Sequence, residues 1–136
     1  MNYISYIFAL IYIAIDIIYI IRSNSYYDKV VKKIQGRSMN NMNKKGVYIS
    51  ALIAYLILAF GWLYFIASRI EIGITYWDLI VLCAVYSLCI YGVFNSTLFI
   101  MFKDWDINVA LRDTFYGISS ITLFSIFYKF IFDKIK

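Results

Sequence analysis

The chain has 136 residues, 63% of them hydrophobic and 21% aromatic, but only 15% charged, with a net charge of +5. Soluble domains average about 45–50% apolar and about 25% charged residues, so a soluble fold, a disordered chain and a collagen-like one are all excluded. With no His and two Cys, histidine-based zinc sites, imidazole haem ligation, Ser/His or Cys/His catalysis and a disulfide framework are excluded too.

What remains is an all-α integral membrane protein, one transmembrane domain over residues 1–136. The bilayer core is ~30 Å thick and takes ~20 apolar residues at 1.5 Å each. Four stretches satisfy this, at about 3–21, 47–67, 79–102 and 109–132. The first is interrupted only by Asp16, and the second and third carry no charge. The fourth has Arg112 and Asp113 near its start and Lys129 near its end. The first stretch exceeds a signal-peptide core, no basic residue precedes it and no small-x-small site follows, so it is expected to be a retained helix. Transmembrane barrels need alternating ~10-residue segments, which are absent from this pattern. No proline is present, so no proline kink is expected.

The connections differ in character. Residues 22–46 read as a long polar loop with Arg22, Lys29, Lys32, Lys33, Arg37, Lys44 and Lys45 against one acid, Asp28. Within it Tyr26, Val30, Val31 and Ile34 recur at helical spacing, which predicts a short amphipathic helix lying on the membrane surface. Residues 38–43 read as a polar linker. The second connection ends in Tyr76-Trp77, and the third, tight one holds Trp105. Trp77 and Trp105 are expected as interfacial anchors, with Arg112 snorkelling to the headgroups. The positive-inside rule places the 22–46 loop in the cytoplasm and both termini outside. The basic residues flank membrane ends, so the expected partners are the bilayer and anionic headgroups at that loop; nucleic acid is not expected. Oligomerisation is compatible with the composition, because lipid-facing and partner-facing apolar surfaces look alike. Asn95-Ser96-Thr97 matches a glycosylation sequon, but within the third span no transferase reaches it.

Polar residues inside the spans carry the remaining information. A carboxylate at mid-membrane costs ~2.5–3.5 kcal/mol on insertion scales, so each needs a partner or a use. Helical rise puts Asp16 ~9 Å from Arg22, Asn95 ~12 Å from Lys103 and Asp113 ~7 Å from Asn108. In a four-span topology all three therefore share one half of the bilayer. Each lies on a stripe of small or hydroxyl residues that permits close helix packing. These are Ser5, Ala9, Tyr12, Asp16, Tyr19; then Cys83, Ser87, Tyr91, Asn95; then Ala110, Asp113, Gly117, Ser120. The second helix contributes Ala51, Tyr55 and Ala59, with Gly61 nearby. The expected intramembrane pocket comprises Asp16, Tyr55, Tyr91, Asn95 and Asp113, either as a site for protons or a ligand, or as a network that knits the helices. Two carboxylates without His do not make a metal site, and nothing calls for a cofactor. Cys83 and Cys89 read as small apolar fillers.

Tyr91-Gly92-Val93-Phe94-Asn95-x-Thr97, then Lys103-x-Trp105, then Asp113-x-x-Tyr116-Gly117 resembles the signature of the membrane family named domain of unknown function 2177. That family has bacterial and large-DNA-virus members. Its pattern reads approximately Y-G-x-Y-D-x-T-N, a Lys and Trp, then D-x-x-W-G. Asp16-Ile17-Ile18-Tyr19, Tyr27 and Gly36 look like its upstream D-x-x-W, Y and G positions. Tyr55, Gly61, Tyr64 and Phe65 resemble its second-helix residues. The resemblance spans nearly the whole chain and implies a four-helix membrane fold without implying an activity. Two departures stand out: Asn95 where the family has Asp, and Leu98 where it has Asn. Residue usage rich in Ile, Asn, Lys and Tyr is what AT-rich coding gives, which points to a large DNA virus and hence a host or virion membrane.

Three functions fit these features: a non-enzymatic membrane component, a small proton-coupled transporter, and a lipid-modifying enzyme. Carriers commonly show inverted repeats, which this sequence lacks. An enzyme without His would need Asp or Tyr for all acid–base steps. The non-enzymatic membrane component is the preferred expectation.

Overall fold

The computed structural model describes residues 2–39 and 44–136. Among these there is no strand, and four long helices are apolar enough to cross a membrane: α1 (Tyr3–Gln35), α2 (Lys44–Glu71), α3 (Tyr76–Met101) and α4 (Ile107–Ile135). Their outward faces are rich in exposed Leu, Ile and Phe, such as Leu10, Ile57 and Phe115. Such surfaces are tolerated in lipid and a liability in water.

The first connection is not built as the sequence predicts. No separate surface helix follows the first span; α1 continues without a break to Gln35. No Gly or Pro interrupts residues 22–35, and Ser23 and Val30 extend the buried face beyond Asp16, each about two turns after the last. Gly36, at φ 69°, ends the helix in the left-handed conformation, its N–H bonded to the Lys32 carbonyl. Lys32 and Lys33 occupy the last turn, where they complement the helix dipole. Asp28 then accepts from the Ser38 hydroxyl at 2.7 Å and the Met39 N–H at 2.6 Å, folding the chain back along α1. The rest of the 38–43 linker, residues 40–43, lies outside the described residues.

Contacts along α4 define the topology. On α1, Phe8 and Tyr12 meet Phe124, Tyr19 stacks on Tyr116 at 3.4 Å, and Ser23 meets Arg112, so α1 and α4 run antiparallel. On α3, Tyr76 meets Asp133 and Asn95 meets Asp113, again antiparallel. On α2, the buried Trp62 indole donates to Ser125 Oγ at 3.0 Å. The core lies in the N-terminal half of α1 and the facing half of α4, where Tyr12, Trp62, Ile66, Leu79, Ile121 and Tyr128 are fully enclosed. Glu71 seals that end by accepting from the Asn2 N–H at 2.9 Å and from Tyr128 at 3.4 Å.

Two helices contain wide π turns, Trp62–Ala67 in α2 and Leu88–Gly92 in α3. The second bears on the site. At 3.6 residues per turn, each four-residue step overshoots a full turn by ~40°, so an every-fourth stripe drifts off one face. A wider turn between Ser87 and Val93 cancels part of that drift, and Cys83, Ser87 and Asn95 are all buried.

Candidate functional site

Asp113 is the hub of the polar interior. It is 9% exposed, and both carboxylate oxygens accept hydrogen bonds from other helices. Tyr27 on α1 donates to Oδ1 at 2.7 Å, and Asn95 on α3 donates through Nδ2 to Oδ2 at 2.9 Å. The same Asn95 amide reaches the Tyr91 carbonyl at 2.9 Å and Thr114 Oγ1 at 3.3 Å. Three acceptors surround one amide group, which fixes its orientation with Nδ2 inward. The Tyr91 carbonyl that accepts this bond lies in the π turn of α3, and a carbonyl has two lone pairs to offer.

Asp16 is equally enclosed, at 6% exposure, but differently served. Its Oδ1 is shut off from the surface and meets no hydrogen-bond donor among the described residues. The hydroxyls of Tyr116 and Tyr55 lie beside this carboxylate. Tyr116 is held there by stacking on Tyr19, one turn along α1. The Tyr12 and Tyr116 hydroxyls are likewise enclosed without a hydrogen-bond partner among the described residues. No ion pair among the described residues involves Asp16 or Asp113. Arg112 turns away, with Nη2 3.4 Å from Ser23 Oγ and the guanidinium 4.8 Å from the Tyr26 ring centroid.

Both acids open on one cavity of about 950 Å³ between α1, α2 and α3, which is itself open to the bundle surface along Ile57, Phe60 and Phe94. Tyr27, Tyr55, Tyr86, Tyr91 and Trp105 supply its other polar edges, and Ile, Leu and Phe side chains make up most of the remaining wall. Of the residues singled out from sequence, Asp16, Tyr55, Tyr91 and Asp113 therefore line one space, and Asn95 sits behind it, bonded to Asp113. Close packing shapes the far wall: a Cβ on Gly117 would run into the Tyr91 ring.

The three expected anchors part company. Trp77 is exposed and Arg112 binds α1. Trp105 is half-buried, its indole N–H enclosed, and it forms the partition between the large cavity and a smaller one of about 280 Å³. Lys29, Lys33, Lys103, Asp104 and Asp106 line the smaller space, with Lys33 3.2 Å from Asp104.

The model of the family described as "Predicted membrane protein (DUF2177)" matches residues 2–129. The chain belongs to the DUF2177 family. No curated protein and no solved structure matches it. The match includes every residue around the cavity and makes this a multi-pass membrane protein by family as well as by its four apolar helices.

Sequence reasoning missed two features of this DUF2177 member. Tyr27 is a direct ligand of Asp113, but it falls in a stretch that reads as loop; only its resemblance to a family Tyr position marked it. Lys129, 6% exposed, pairs with Asp133 at 2.9 Å and lies 4.8 Å from the Tyr76 ring centroid. Its i, i+4 spacing to Asp133 was the available signal.

Proposed function

We propose that this protein is a non-enzymatic membrane component that holds one amphiphilic molecule in its intramembrane cavity. The observation that carries this reading is the cavity of about 950 Å³, apolar over most of its wall, with two buried carboxylates opening on it. Ligand sites are concave, predominantly apolar spaces of ~300–1,000 Å³ with a few convergent polar groups. Intramembrane ionisable residues face cavities or partners rather than lipid, and mark binding or transport routes. An acyl-like chain fits the apolar wall, and its polar end fits the Asp16–Asp113 region. Beyond Trp105, Lys29 and Lys103 support contact with anionic headgroups at the end of the bundle.

The test is to purify the chain from membranes in mild detergent and identify retained molecules by native mass spectrometry and extraction. One amphiphile per chain is expected. Ala51→Phe, which projects a ring into the cavity from α2, should lose it while the helix content stays unchanged. A wild-type chain that neither retains nor takes up any amphiphile overturns the reading.

A further inference from the structure

The chemistry of the occupant's polar end follows from what the site lacks. Asp16, 94% enclosed by its 6% exposure, presents Oδ1 without a donor. Asp113 has one hydrogen bond on each oxygen, and a carboxylate oxygen accepts two, so it retains capacity. Of the basic side chains nearest in sequence, Arg22 is exposed on α1 and Arg112 reaches Ser23 and the Tyr26 ring, and among the described residues no Lys or Arg lines the cavity. The rings of Tyr27, Tyr55 and Tyr91 edge the same cavity. The site is thus rich in acceptors and π faces, with no cation of its own among the described residues.

We infer, resting on the cavity reading above, that the occupant is a single-chain amphiphile ending in a protonated primary amine, seated between Asp16 and Asp113. An ammonium group carries three N–H donors and no acceptor, matching two carboxylates with unfilled acceptor capacity and no basic side chain among the described residues of the cavity wall. It compensates the buried carboxylate charge and gains from the tyrosine rings. An alcohol brings one donor and no charge. A trimethylammonium brings charge without any N–H, and a carboxylate adds a third acceptor to two already present.

The experiment compares dodecylamine, dodecyltrimethylammonium, dodecanol and dodecanoate at pH 7 on the delipidated full chain in maltoside micelles, by titration calorimetry and thermal shift. Dodecylamine should bind roughly tenfold or more tighter than dodecanol, the equivalent of one charge-assisted hydrogen bond. Dodecyltrimethylammonium should fall between them, and dodecanoate should bind weakest. Asp16→Asn should bring dodecylamine down to the level of dodecanol on the same variant. Equal affinity for amine and alcohol, or undiminished amine binding by folded Asp16→Asn, overturns the amine inference and leaves the cavity reading standing. Failure of all four to bind overturns the cavity reading itself. The comparison on the wild-type chain needs no variant, so a misfolded Asp16→Asn protein does not weaken it.

Discussion

The hydroxyl of Tyr27 donates to Asp113 Oδ1 at 2.7 Å, joining residues 86 positions apart in the chain. This bond fastens the C-terminal half of α1 to the start of α4, close to where Arg112 reaches Ser23. Tyr27→Phe keeps the ring and deletes only the donor. It is expected to lower unfolding stability in detergent by about 1–3 kcal/mol, the range for leaving a buried acceptor short of its partner. Amide exchange over residues 22–35 should rise more than over residues 3–15; uniform change along α1 would contradict the fastening role.

Asp113→Asn tests whether the acid is needed for the fold. The Asn95 amide donates to one oxygen, and the Tyr27 hydroxyl can reverse to accept from the new amide. Both bonds survive while a charge leaves the hydrocarbon, so stability should be unchanged or slightly higher. Asp113→Leu strands Tyr27 and Asn95 together and should cost about 2–4 kcal/mol. Thermal unfolding of the two variants side by side decides it, and a large loss in the Asn variant would refute the argument.

Gly117→Ala adds one carbon where the Tyr91 ring already lies. The ring must move, and with it the cavity wall and the carbonyl that accepts from Asn95. Overpacking of this kind costs about 1–3 kcal/mol. Gly117→Ala combined with Tyr91→Leu should recover part of the loss. Additive effects in that double-mutant cycle would show that the two residues do not press on each other.

Threading is tested with a single introduced thiol. Cys83 is buried and Cys89 exposed on the bundle surface, so Cys89→Ser gives the background. Ser38→Cys at the end of α1 should resist an impermeant maleimide in intact cells and react after permeabilisation, as the basic residues around it demand. Ready labelling in intact cells reverses the orientation.

The four spans were legible because hydrocarbon sets their length, and the inward stripes because polar residues in lipid must find one another. Asp16, Asn95 and Asp113 could be matched in depth from helical rise alone. The extension of α1 was not legible: residues 22–35 mix lysines with Tyr and Val, and a surface helix and a continuing one share that pattern. Tyr27 was hidden by the same ambiguity. The Asn2–Glu71–Tyr128 seal unites residues from three separate helices, so no spacing within one helix announces it. Trp105 read as an anchor because Trp at a membrane end usually is one; its place between two cavities depends on how the tight third connection folds over α1.

The unbroken α1 has a mechanical consequence. Its 33 residues make a rod of about 50 Å at 1.5 Å each, against a hydrocarbon slab of ~30 Å. About 20 Å of stiff helix must therefore project or be taken up by tilt, and the projecting end carries Lys29, Lys32 and Lys33. Because Phe8, Tyr12, Tyr19 and Tyr27 all pack against or bond to α4, this lysine-bearing arm is a continuation of the bundle and not a separate surface element.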